Sequence, residues 1–319
     1  MKFRIGKGLA AALMLAVMTV AGAAQAAGDP PSCKKVRFSD VGWSCITATT
    51  AIAIRMLDAL GYQGSATVLS VPVTYTSLKN KDLDVFLGNW MPTMENDIRP
   101  YLKDGSVESY AVNLEGAKYT LAVPKYVYDA GVKDFADLAR FRDKFGGKIY
   151  GIEPGNDGNR LIQSVIDKNA FGLGDWELVE SSEQGMLSQV ARAVRGKEWI
   201  VFLGWEPHPM NSNFDLAYLS GGDDYFGPNF GGATVYTNVR AGFAQDCPNL
   251  GKFFKNLKFT LAAENKMMGY MLDDGMEPED AATKILKEQP ELLAGWLKGV
   301  TTMDGSKPAL GVVRASLGM

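Results

Sequence analysis

One histidine, three cysteines and no second long apolar run narrow what this 319-residue chain can be. His208 alone cannot build a typical zinc site, and no cysteine pair has the C-x-x-C spacing of a redox motif. No G-x-S-x-G elbow accompanies His208, so a serine-hydrolase triad lacks its nucleophile motif. No P-loop or dinucleotide fingerprint follows any expected strand; Gly221-Gly222 and Gly231-Gly232 are turn glycines outside that context. Basic stretches are missing too, with 33 basic residues against 36 acidic ones. An acidic chain without a basic patch is a poor partner for nucleic acid or an anionic lipid surface. These absences lead us to expect no metal and no cofactor.

What is present is the composition of a globular protein, 46% hydrophobic and 22% charged. The long apolar run lies at the start. Lys2, Arg4 and Lys7 form a basic n-region, Leu9 to Val20 an apolar h-region, and Ala24-Gln25-Ala26 an A-x-A cleavage site. Residues 1–26 therefore read as a secretory signal peptide. Its removal takes the formal charge from −3 to −6. Pro30-Pro31-Ser32-Cys33 is no lipobox, so we expect a free periplasmic protein without a lipid anchor.

The remaining length suits two lobes rather than one core. A short strand is expected at Val36–Phe38, followed by a helix on which Ile46, Ala53, Ile54, Leu57 and Leu60 recur and which Gly61 or Gly64 ends. Strands at Thr67–Val73 and Leu83–Leu87, with a short helix at Thr76–Asn80, complete an α/β rhythm. A strand at Lys118–Val123 opens a second such stretch. It continues with a helix at Val132–Phe145, a strand at Lys148–Ile152, helices at 159–169 and 182–195, and a strand at Trp199–Leu203. We divide the mature chain into a first lobe (27–114), an inserted second lobe (115–212) and the rest of the first lobe (213–319). Two crossings, near 110–118 and 205–230, make a hinge over a cleft, the architecture of hinge-bending binding proteins.

Three of the six tryptophans share one kind of position. Trp43 follows the first strand, Trp90 the strand ending at Leu87, and Trp205 the strand ending at Leu203, each within two residues of a glycine. Ligands of open α/β sheets bind beyond the carboxyl ends of strands. Electron-rich ring faces converging there suit a cation that donates no hydrogen bond, such as quaternary ammonium. Trp176, Trp199 and Trp296 lack the pattern and are assigned to packing.

At Asp40-Val41-Gly42-Trp43, Gly88-Asn89-Trp90-Met91-Pro92, Gly151-Ile152-Glu153-Pro154-Gly155-Asn156-Asp157-Gly158 and Gly204-Trp205-Glu206-Pro207-His208-Pro209, the chain resembles the substrate-binding proteins of quaternary-amine ABC transporters. This is the glycine betaine, choline and proline betaine group, and the likeness is strongest to its periplasmic choline-binding members. The resemblance covers the whole mature chain. It implies a two-lobed Venus-flytrap fold closing on choline and an inner-membrane permease as partner. It also implies an aromatic box of Trp43, Trp90, Tyr119 and Trp205, with Asn156 as a polar contact and Asp157 beside it. Where choline-binding relatives typically carry an Asp that meets the ligand's polar end, this chain has Cys45. Two readings of Cys45 stand: a thiolate favoured by the start of its helix, or a neutral small side chain. The substitution is expected to weaken binding and to blur discrimination against glycine betaine and acetylcholine.

Cysteine spacing leaves three possible pairs open. Cys33 and Cys247 look like surface positions able to staple a terminus to a later segment, whereas Cys45 follows Trp43 in the expected cleft. We therefore expect a Cys33–Cys247 disulfide, with Cys45 reduced. Two enzymatic alternatives remain, a glycoside hydrolase using Asp157 and Glu206 and a Cys45–His208 thiol hydrolase.

Overall fold

The computed structural model describes Met1 and residues 28–319; the expected signal peptide and its cleavage site lie outside the described residues. Nine strands form one sheet: β1 (Lys35–Asp40), β2 (Gln63–Val68), β3 (Val85–Met91), β4 (Val107–Pro124), β5 (Lys148–Tyr150), β6 (Glu177–Val179), β7 (Phe202–Glu206), β8 (Leu216–Tyr218) and β9 (Gly232–Arg240). Their order is β2-β1-β3-β9-β4-β7-β5-β6, with β8 also pairing β4. The outer trios, β2-β1-β3 and β7-β5-β6, are parallel. The joints β3-β9, β9-β4 and β4-β7 are antiparallel. Parallel trios need helical crossovers, which cover their faces. This is the expected two-lobed α/β class, with β4 and β9 spanning the middle.

β4 is the long element, 18 residues, and it serves both halves. Val107 to Lys118 pair with β9, and Lys118 to Ala122 with β7. Its register against β9 shifts between Ser109 and Ala111, between Val112 and Leu114, and between Leu114 and Ala117. Such irregularities bend a strand, so β4 turns from one half of the sheet into the other. Beyond β7, β8 still packs on the far end of β4, and Asp134 bridges Ser220.

The helix Ser44–Ala59 buries Ile46, Ile52, Ala53, Met56 and Leu57 at helical spacing against the helices Leu261–Leu272 and Pro278–Glu288. Four sequence expectations need correction. Thr67–Val73 is not one strand: β2 ends at Val68, and a helix runs from Val71 to Lys79 with Pro72 in its first turn, where proline is pre-set for helix. Val132–Phe145 is three short turns, Phe135–Leu138, Ala139–Phe141 and Arg142–Phe145, rather than one helix. Trp90 and Trp205 sit inside β3 and β7, because ladder pairing extends to Trp90 opposite Val235 and Trp205 opposite Tyr119. Cys33 and Cys247 are joined by the expected disulfide, Cα atoms 5.8 Å apart, but both are buried rather than on the surface.

Candidate functional site

Trp43 is placed by a turn. The Asp40 carboxylate accepts from the Gly42 amide and the Thr47 hydroxyl, both at 2.7 Å. Gly42 has φ +84°, a conformation that favours glycine. Trp43 then stands at the N-cap of helix Ser44–Ala59, and its indole N–H donates to Glu153 Oε1 at 2.9 Å. Glu153 belongs to the loop after β5, so this bond joins the two halves.

Tyr119 holds the middle of the site. Its ring packs edge-on against Trp90 (centroids 6.1 Å), Trp205 (6.3 Å) and, behind the box, Phe226 (6.0 Å). Its hydroxyl donates to Asn156 Oδ1 at 2.8 Å. A Cβ on Gly158 would stand 2.1 Å from that hydroxyl, which is why the loop carries glycine there. Asn156 caps helix Asp157–Asp167 by accepting from the Asn159 amide at 3.0 Å, and its NH2 donates to Asp157 Oδ1 at 3.3 Å. Asn159 fixes the loop from within, with bonds to the Ile152 amide and to the Ile152 and Glu153 carbonyls.

Trp43, Cys45, Trp90, Tyr119, Ile152, Asp157 and Trp205 together line one narrow cavity. The cavity volume is about 20 Å³. The four expected box aromatics thus meet at one cavity, with Cys45 and Asp157 in its wall. Asn156 stands one layer behind, holding Tyr119 and Asp157. Glu206 pairs with Lys118 at 3.2 Å and is not in the wall.

Burial controls the site's electrostatics. It pushes the Cys45 thiol well above its ordinary range, and the Glu264 and Glu183 carboxyls add to the effect. Of the two readings, the neutral side chain is the one supported. Burial also raises Asp157 to about 6, opposed by the Thr93 hydroxyl, while nearby Asp97 adds to the rise. Asp157 Oδ2 is buried without a hydrogen-bond partner among the described residues. Glu153 is raised to about 7, chiefly by burial and against the pull of the Trp43 indole. Among the described residues, no basic side chain lines the cavity.

Sequence reasoning missed Ile152, Glu153, Glu183 and Phe226. Ile152 and Glu153 carried a signal, their place in the quoted loop. The other two are brought to the site by chain crossings that local pattern does not reveal. Trp176 and Trp199 pack at an angle against Phe145, and Trp296 against Phe259, in the packing role expected.

Compared with known proteins, residues 34–288 match the family model for the substrate-binding domain of an ABC-type glycine betaine transport system. A solved ABC-transporter choline-binding protein in complex with choline is 62% identical, with TM-score 0.89, over 91% of this chain and all of that one. The unliganded, semi-closed form of an ABC-transporter choline-binding protein superposes with TM-score 0.83 at 62% identity, over 90% of this chain and 100% of that one. The glycine betaine/carnitine transport binding protein GbuC of Listeria monocytogenes is 32% identical over 159 residues. That match takes in 50% of this chain and spans about half the relative's length, 52%.

Proposed function

This chain belongs to the family of substrate-binding domains of ABC-type glycine betaine transport systems, and from that premise we propose that it captures choline and presents it to an inner-membrane permease. Its work is binding and closure, with no bond broken. Membership of a binding family overturns both hydrolase alternatives, and the geometry agrees. Glu206 is outside the cavity wall, and both ring nitrogens of His208 are engaged, by Glu183 and by the Met210 amide.

The observation that carries the choline reading is the cavity itself: four aromatic rings and an acid, with no basic side chain. Ring faces attract a quaternary ammonium that water-like donors cannot replace. We assign Trp43, Trp90, Tyr119 and Trp205 to the cation, and Asp157 to the ligand's far end, with Asn156 as the polar support of both. Cys45 offers no charge. We take 27–114 and 213–319 as one lobe and 115–212 as the other; the packing of β8 on β4 extends the second lobe's contacts past residue 212. The likeness to the choline-bound relative, TM-score 0.89 against 0.83 for the semi-closed one, supports a closed arrangement.

As a member of this family the protein works outside the cytoplasm. We place it in the periplasm, released by cleavage after Ala26. Calorimetric titration of the mature protein with choline tests the function: saturable binding is expected. Absence of heat up to millimolar choline sinks the reading.

A further inference from the structure

We propose that Glu183 is a latch between the lobes, setting how firmly the closed protein holds any ligand without touching that ligand. This rests on the two-lobed binding function above. The helix Ser44–Ala59 begins without a side-chain cap, since Trp43 occupies the N-cap. Its first amides need acceptors from elsewhere. Glu183, at the start of helix Glu183–Gly196 in the other half of the molecule, supplies one: Ser44 N–H donates to Glu183 Oε2 at 3.0 Å.

The second carboxylate oxygen is also taken. His208 Nε2 lies 3.2 Å from Oε1, and the Met210 amide donates to His208 Nδ1 at 2.9 Å. Because Nδ1 is accepting, the ring proton sits on Nε2 and is given to Glu183. Ser44, Glu183 and His208 are 4%, 1% and 1% exposed, so water does not compete for these bonds. A carboxylate with each oxygen matched to one donor is at home in such a place. It also faces the positive end of a helix 16 residues long.

The latch is wired to the box. Ser44 follows Trp43 in the chain, and the His208 ring packs edge-on against Trp205, centroids 5.0 Å apart. A continuous path therefore runs from Trp43 through Ser44, Glu183 and His208 to Trp205, joining two walls of the cavity from behind. Neither Glu183 nor His208 lines the cavity. Opening the lobes pulls Ser44 away from Glu183, and ligand seated between Trp43 and Trp205 keeps both ends in place. Apparent affinity scales with the fraction of molecules able to close.

Glu183→Gln tests this. The amide keeps the shape but turns its NH2 toward one of the two donors. Choline affinity is expected to fall roughly 10- to 100-fold, the worth of one charge-assisted hydrogen bond, mainly through faster dissociation. The preference between choline and acetylcholine, which carry the same charge, stays at the wild-type ratio, because no ligand atom is involved. The ligand-free melting temperature stays near wild type. His208→Phe, which keeps the ring against Trp205 and removes the donor, gives a smaller loss in the same direction. Wild-type affinity and dissociation rate in Glu183→Gln overturn the latch, as does a changed ligand ratio. If wild-type protein binds no choline, the choline reading fails separately. Small-angle scattering of ligand-free wild type and Glu183→Gln then decides the latch: a more open variant supports it, and identical curves overturn it.

Discussion

Cys45→Asp is the perturbation that weighs most directly on the choline reading. Residue 45 is in the cavity wall, 3% exposed, and neutral. A carboxylate there adds a charge against the ligand's cation. A hydrogen bond or contact to a charged group is worth roughly 1.5–3 kcal/mol, or about 10- to 150-fold in affinity. An opposing effect comes from the same surroundings that raise the thiol. Burial and the carboxyls of Glu183 and Asp40 disfavour a new negative charge until the cation arrives. Ionising the introduced carboxyl therefore offsets part of the gain, which places the expected tightening near about 10-fold at pH 7.5, the low end of that range. The ligand-free variant melts lower than wild type for the same reason. Cys45→Ser, neutral and similar in size, gains nothing. Calorimetry with choline measures all three proteins side by side. A folded Cys45→Asp variant that binds choline no tighter than wild type refutes the reasoning, because the cation then does not sit near residue 45.

Trp205→Ala removes one ring face from the box and should weaken choline by roughly 100-fold, about 2 to 3 kcal/mol. Tyr119→Phe keeps the ring and loses only the bond to Asn156, so its titration should shift by roughly 10-fold or less; equal losses in the two variants contradict the box. Glu264 is buried and raised from 4.5 to about 8 by burial alone. Its ionisation opposes folding. The cost is absent below pH 4.5, grows between pH 4.5 and about 8, and is constant above. Glu264→Gln should match wild type near pH 4 and outlast it at pH 9, by on the order of several kcal/mol. Thermal melts at both pH values check this, and a gap independent of pH rules it out.

The α/β class, the two-lobed architecture and the three tryptophans of the proposed box were legible because their signals are local. Strand–helix alternation shows in apolar periodicity, and each of these tryptophans stands within two residues of a glycine near a strand end. Tyr119 was legible only through family resemblance, since a tyrosine on a strand has no distinctive neighbourhood in the sequence. Its importance comes from pairing opposite Trp205, a partner more than 80 residues away. Asp157 and Asn156 drew notice as part of one loop, but their division of labour was hidden. That Asn156 serves as a cap holding Tyr119 depends on Gly158 letting the hydroxyl approach, a three-body arrangement. Glu183 was hidden for a related reason: in the sequence it is an ordinary acid in the first turn of a helix. The first half of β4 and the helix Glu95–Lys103 escaped notice. The helix contains Pro100, and the strand shifts register three times, so neither keeps a clean period.

Choline and glycine betaine share a trimethylammonium head and differ at the other end, hydroxyl against carboxylate, so the box alone cannot tell them apart. Asp157 can. Among the described residues its Oδ2 is buried without a hydrogen-bond partner, in a wall without a basic side chain. Ionised, it accepts from a ligand hydroxyl and repels a ligand carboxylate. Protonated, it donates to that carboxylate. With its acid raised to about 6, the protonated form is about 3% of the total at pH 7.5 and about 90% at pH 5. A betaine that needs the protonated form is handicapped about 30-fold at the higher pH and hardly at all at the lower. The ratio of choline to glycine betaine affinity should therefore fall about 30-fold from pH 7.5 to pH 5. Glu153, raised to about 7 and bonded to Trp43, titrates in the same window. It acts on the shared head, so its effect cancels in the ratio. Paired titrations of both ligands at the two pH values, repeated with Asp157→Asn, isolate the acid. A ratio that stays constant in wild type, or the same pH trend in Asp157→Asn, shows that selection against the carboxylate lies elsewhere in the cavity.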